Sequence, residues 1–209
     1  MSGHIFRRVQ RGPLAAALML FGGMIAGAVA PASASVNRDV WNYYNIQPAP
    51  RSDAMLRQVV MDVHNRERQS LGVPALAWDD RLAADAAGYA RQMVHTNQFR
   101  HSHGGERDEE IGENLWMGTH RAYGYTAMLD AFMDERRAFV FKARFPDVST
   151  TGNWEDVGHY TQMIWRGTRR VGCALGEGAQ YDYLVCRYYP AGNVYGMSPF
   201  DRDFGGWQG

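Results

Sequence analysis

Gly158-His159-Tyr160-Thr161-Gln162-Met163-Ile164-Trp165 sets one imidazole and one amide among large apolar side chains. The pattern predicts a short, mostly buried helix that carries polar groups into a core. A buried imidazole without a hydrogen-bond or metal partner costs about 1–3 kcal/mol. His159 therefore needs partners, and the rest of the chain is read for them.

Downstream, Val171–Leu175 and Tyr183–Tyr189 are strand-like runs separated by Gly176-Glu177-Gly178-Ala179-Gln180, which predicts an antiparallel hairpin. Upstream, a helix is expected over Tyr125–Val140. At about 100° per residue, Met128, Ala131, Phe132 and Phe139 share one face, and Glu135 falls in the middle of it. A carboxylate aimed into an apolar stripe is paired or metal-bound, or else it reaches solvent at the helix end. Earlier still, Leu115–Met117 reads as a short strand with Glu113 immediately before it. His101, Ser102 and His103 open a polar, loop-like run.

Two further helices precede these elements. The first starts at Ser52 or Asp53, carries Met55, Leu56, Val59, Val60 and Val63 at helical spacing, and stops at Gly72 and Pro74. Its polar run from His64 to Arg68 lies just past the apolar stripe and is read as a solvated helix end. The second is capped by Asp79 and buries Leu82, Ala86, Tyr89, Ala90 and Met93.

At the N-terminus, Arg7, Arg8 and Arg11 precede an uncharged run from Leu14 to Val29 and then Ala32-Ser33-Ala34. Residues 1–34 are expected to be a secretory signal peptide, since about 16 apolar residues fall short of a span of about 20. Adjacent Arg7 and Arg8 also raise twin-arginine export, which Phe6-Arg7-Arg8-Val9 fits poorly. Secretion or periplasmic delivery after cleavage near Ala34 follows, with no transmembrane segment in the processed chain. Residues 35–51 form an extended arm whose prolines exclude a helix. Residues 52–195 make one domain, and 196–209 a tail.

The whole chain has 22 Lys+Arg and 22 Asp+Glu. Removing the three leader arginines leaves 19 basic residues (22 − 3) against 22 acidic ones, so no nucleic-acid partner is expected. Cys173 and Cys186 lie in the exported part, one in each hairpin strand, and a disulfide is the expected state. Closing that loop stabilises by roughly 3 kcal/mol in the chain-entropy model.

Gly158–Trp165, Val171-Gly172-Cys173-Ala174, Leu184–Asn193, Gly112-Glu113-Asn114-Leu115 and His64-Asn65 with Arg68 together resemble the CAP superfamily, in the family's order from about residue 52 to 195. That superfamily takes in cysteine-rich secretory proteins, antigen 5 and pathogenesis-related 1 proteins, which share the SCP domain. The single cysteine pair and the lack of a cysteine-rich extension look closest to bacterial secreted single-domain members. The resemblance implies an α+β fold, a three-layer α/β/α sandwich with a small antiparallel sheet between helices. It also implies a cleft tetrad of His101, Glu113, Glu135 and His159, with His103 as an alternative to His101. Members of the family hold a divalent ion such as Zn2+ there, mainly through the histidines.

Three functions compete. The first is a binding or interaction module for a lipid or sterol, or for an extracellular protein, with Trp116, Tyr123, Tyr125 and Phe132 lining an apolar crevice. The second is a metal-dependent hydrolase with Glu113 or Glu135 as general base. The third is a purely structural module. The sequence has no HExxH motif and no nucleophile beside a base, so catalysis ranks last.

Overall fold

The computed structural model describes residues 51–103 and 105–201. The expected signal peptide, residues 35–50 of the arm and residues 202–209 of the tail lie outside the described residues. Among the described residues, four α-helices flank a four-stranded sheet. The helices are α1 (Asp53–Ser70), α2 (Asp80–Thr96), α3 (Tyr125–Asp134) and α4 (Gly158–Ile164). The strands are β1 (Ala77–Trp78), β2 (Gly112–Thr119), β3 (Arg170–Glu177) and β4 (Tyr181–Tyr189), in the order β1-β3-β4-β2. No described helix is long and apolar enough to cross a membrane.

Period-2 alternation along the sheet sorts the core into two layers. Leu184, Cys186 and Tyr188 of β4, with Val171 and Cys173 of β3, face α1, α3 and α4 through Leu56, Val60, Met128, Leu129, Phe132 and Met163. Tyr183 and Val185, with Leu115 of β2, face α2 through Ala86, Tyr89, Ala90 and Met93. The α/β/α sandwich expected from the sequence is thus present. The sheet is mixed rather than purely antiparallel, because β1 pairs parallel to β3. Two residues carry no periodicity, so this strand could not be read in advance.

The small residues of α2 let it lie against the sheet, and two glycines of β3 complete the fit. A Cβ at Gly172 would sit 2.3 Å from the Ala83 backbone nitrogen and 2.5 Å from the Asp79 carbonyl oxygen. One at Gly176 would sit 2.8 Å from the Ala90 carbonyl oxygen. These neighbours are backbone and cannot turn aside. Gly172→Ala is expected to cost about 1–3 kcal/mol by overpacking, read as a lower unfolding midpoint in thermal melts; an unchanged midpoint would show that α2 can lift off freely.

Cys173 and Cys186 face each other across the hairpin, are joined, and have Cα atoms 4.1 Å apart. Helix α1 is capped as expected, the Ser52 hydroxyl accepting from the Met55 N–H. Its polar end corrects the reading of a solvated segment: His64 and Arg68 are fully buried, and Glu67 nearly so. Their positions continue the Leu56, Val60 row at four-residue steps, so the core-facing stripe runs on through them.

Helix α3 is shorter than expected. It gives way at Glu135 to a 3-10 turn, Glu135–Ala138. Leu129, not Ala131, joins Met128 and Phe132 in its buried row. Strand β2 is longer than expected and includes Glu113. Residues 196–201, read as the start of a tail, return to the body. Phe145 N–H donates to the Met197 carbonyl, Arg166 N–H to the Pro199 carbonyl, and Phe200 packs on Phe139 and Phe141.

Candidate functional site

Helix α4 is too short to stand alone and has no side-chain cap of its own. Glu135 supplies one from the 3-10 turn, its Oε2 accepting from the Tyr160 N–H at 3.0 Å. The other oxygen accepts from His159 Nδ1 at 2.5 Å. Phe132 stacks on the imidazole with ring centres 4.8 Å apart and planes 17° from parallel. One carboxylate therefore holds both the helix and its histidine, while an aromatic plate fixes the ring plane.

The segments around α4 interlock. Gln162 is buried, donates to Thr168 Oγ1 and accepts from the Gly192 N–H. It runs between two glycines: a Cβ at Gly112 would meet its Oε1 at 2.1 Å, and one at Gly192 its Nε2 at 2.9 Å. Asn193 donates to the Gly158 carbonyl and accepts from the Thr161 hydroxyl. Asn114 donates to the His159 carbonyl and to the Tyr188 oxygen, while Tyr188 and the Val60 carbonyl satisfy His64.

A second histidine–carboxylate pair comes from the other face of the sheet. His101 Nδ1 lies 2.6 Å from Glu113 Oε1, and the ring is largely exposed. The Ser102 N–H also donates to Oε1, and its hydroxyl to Oε2, where Arg187 binds as well. Burial alone would push the Glu113 carboxyl up. The hydrogen bond from His101, the Arg187 charge and the two Ser102 donors outweigh it and hold the group below its usual range. His103 is exposed and is not part of the cleft lining, and its backbone N–H donates to Glu106.

His101 and His159 line one cleft of about 600 Å³ at the rim of the sheet, with Glu113, Asn114, Gln162 and Asn193 also on its wall. Glu135 stands behind His159 and off the wall. A carboxylate only accepts, so both Nδ1 atoms donate and each ring keeps Nε2 as its available donor atom for a ligand. Such carboxylate–histidine pairs are how metal-binding imidazoles are oriented. By donor chemistry, two imidazoles each paired with a carboxylate suit a divalent ion, which His101 and His159 would hold and Glu113 and Glu135 would orient.

None of the four aromatics expected to line an apolar crevice lies on the wall of this cleft. Tyr125 and Phe132 are buried in the core, and Trp116 pairs edge-to-face with Tyr123 away from the cleft wall. Sequence reasoning also missed Arg187 and Ser102. A lone arginine in an otherwise buried strand was the available signal; it stands opposite Glu113 in the β2–β4 register.

A separate cluster lies at the hairpin end. Among the described residues, His120, Glu177 and Asp182 form the group of three whose ligand atoms come within 4.8 Å of one another. Asp182 already accepts from Arg51, His120 and the Arg121 N–H, and Glu177 pairs with Arg51 and Arg121. Two guanidinium groups on Glu177 and one on Asp182 make this a charge-balanced network, which an incoming cation would have to dismantle.

Comparison with known proteins fits the geometry. A profile described as "CAP: Cysteine-rich secretory protein family" matches residues 61–188. Pathogenesis-related protein 1C of Nicotiana tabacum is 36% identical over 145 residues, covering 69% of this chain and 80% of its own. The crystal structure of NaASP2 with Zn2+ superposes with a TM-score of 0.59 at 26% identity, over 70% of this chain and 85% of that one. That of BmVAL-1 gives a TM-score of 0.55 at 24% identity, over 71% and 82% respectively, and shows the fold alone. With the interlocked motifs around α4, these matches make the chain a member of the CAP, or cysteine-rich secretory protein, family.

Proposed function

We propose that this is an exported CAP binding module whose cleft takes a polar ligand through a divalent ion held by His101 and His159. The observation that carries the reading is the paired geometry of the two imidazoles. Each gives Nδ1 to a glutamate, and both line the same cleft. The solved relative bearing Zn2+ supports zinc as the first ion to try. An ion there would supply a Lewis-acid centre with positions left for water or a ligand group. Two protein ligands make an open and exchangeable site.

The amide-, imidazole- and carboxylate-bearing wall supports a polar occupant over a sterol or lipid. The hydrolase reading ranks second and has one observation in its favour. Glu113 is saturated by four donors and cannot serve as a base, whereas Glu135 accepts two contacts and keeps some exposure. Any base would therefore be Glu135.

Calorimetric titration of metal-free protein with Zn2+ tests the proposal. About one equivalent is expected to bind, and His159→Ala or His101→Ala to abolish the heat. His120→Ala is expected to leave it intact. Loss in His120→Ala with retention in His159→Ala would place the ion at the hairpin end and sink this reading. Turnover of peptide and ester libraries that disappears in Glu135→Gln would promote the second.

A further inference from the structure

The two histidine–carboxylate pairs are held unequally. Glu135 meets only the His159 ring and the Tyr160 N–H. Glu113 is backed by a buried guanidinium. Arg187 stands directly opposite it in the β2–β4 register and is completely buried. Its Nη1 donates to Glu113 Oε2 and, at 2.8 Å, to the Ser102 hydroxyl. That hydroxyl in turn donates a hydrogen bond to Glu113 Oε2 at 2.8 Å. The guanidinium lies over the Tyr89 ring, 5.1 Å from its centre. Its Nε sits 2.7 Å from Asp85 Oδ2, an ion pair whose N–H is not aligned for a hydrogen bond, and Nη2 has no hydrogen-bond partner.

Stability alone does not account for such a residue. A buried ion pair can commonly be replaced by packed apolar groups without loss, and an unpartnered guanidinium N–H adds to its cost. What the arrangement does achieve is geometric. His101 is mostly exposed, and among the described residues Glu113 is the one hydrogen-bond partner of its ring. Glu113 can hold it only if its own carboxylate cannot rotate. Arg187 and Ser102 fill Oε2 and clamp that carboxylate from behind, so that Oε1 stays aimed at Nδ1.

We propose that Arg187 is a positioning residue for the cleft: through Glu113 it fixes His101 in the tautomer that turns Nε2 towards a bound ion. It acts at second hand and touches neither ion nor ligand. The inference rests on the function proposed above, but its first readout needs no metal.

The test compares wild type with Arg187→Met and Arg187→Lys. The readouts are nitrogen-15 NMR of the His101 ring in metal-free protein at pH 8 and calorimetric Zn2+ affinity. Wild type is expected to show the Nδ1–H form almost alone. Arg187→Met should show mixed tautomers at His101, with His159 unchanged, and bind Zn2+ about 10–100-fold more weakly, the usual effect of losing an orienting partner. Arg187→Lys keeps the charge but not the planar fork, and is expected to fall between the two. It carries the test if Arg187→Met fails to fold. A wild-type tautomer ratio and wild-type Zn2+ affinity in the folded variants would overturn the assignment. If wild type binds no Zn2+ while the His101 tautomer still shifts in the variants, the metal reading fails and the role of Arg187 stands.

Discussion

Replacing Arg68 by methionine is expected to cost at least about 3 kcal/mol of folding stability. The side chain is fully buried on α1 and has no carboxylate partner among the described residues. It donates instead to four backbone carbonyls: Nε to Pro74 at 2.6 Å, Nη1 to Met163 and Trp165 at 2.9 Å each, and Nη2 to Thr168 at 3.0 Å. Two of these oxygens lie at the C-terminal end of α4, where the helix leaves carbonyls unpaired and favours a cation. Burial, together with the Arg169 and Arg166 charges, brings the Arg68 pKa down to about 10, and the group stays charged at neutral pH. Methionine fills similar space but takes the donor from the buried Pro74, Met163 and Thr168 carbonyls, each loss costing about 1–3 kcal/mol, while the Trp165 carbonyl keeps the Thr168 N–H. Urea unfolding measures the loss. Arg68→Lys is expected to recover little, because one ammonium cannot reach carbonyls on three segments. A loss below about 1 kcal/mol for the methionine variant would show that water or a shifted backbone takes over these bonds.

The second large effect is a loss of stability in mild acid carried by His64. Burial above all, with the Arg68 charge adding to it and the Val60 carbonyl opposing, lowers its pKa from 6.5 to about 4. The ring is neutral in the fold. Nδ1 donates to Val60 and Nε2 accepts from the Tyr188 hydroxyl, so no position is left for a second proton. The sign follows from linkage. Between pH 6.5 and 4 the unfolded chain binds a proton that the folded chain refuses, so the His64 contribution is whole above about 6.5 and drains away as pH falls towards 4. The full difference is about 3 kcal/mol. Other groups titrate in the same window, so the variant difference is the quantity to measure. The stability gap between wild type and His64→Gln should shrink by about 3 kcal/mol from pH 7 to pH 4. A gap independent of pH would mean that His64 is charged in the fold or reaches solvent.

Both residues show where the sequence was legible and where it was not. Local signals worked when the physics was local. Asp79 caps α2, whose buried face is the one its spacing predicts, and Cys173 and Cys186 meet across the hairpin. Glu135 was singled out because a carboxylate on an apolar face requires a partner, and it does turn inward, although from a 3-10 turn. The misreading of His64 and Arg68 came from treating polarity as exposure. Their four-residue steps from Val60 already placed them on the buried stripe. What periodicity cannot supply is the identity of a distant partner. Arg68 binds carbonyls about a hundred residues away in sequence, and Ser102, Glu113 and Arg187 meet only once the sheet is registered.

The brevity of α4 has a consequence for how the cleft behaves. A seven-residue helix is far below the length at which an isolated helix persists in water. It exists because Glu135 holds one end, Arg68 the other, and Gln162 is threaded through the middle. Glu135 and Arg68 come from other segments of the chain, and Gln162 ties the helix outward to Thr168 and Gly192. His159 therefore cannot be released by fraying of α4 while the rest stays in place, since the helix and its anchors open together or not at all. Anything that enters or leaves the cleft must use the mouth that the folded molecule already presents. Exchange at the site is then governed by the shape of that opening, with breathing of the chain beneath it contributing little.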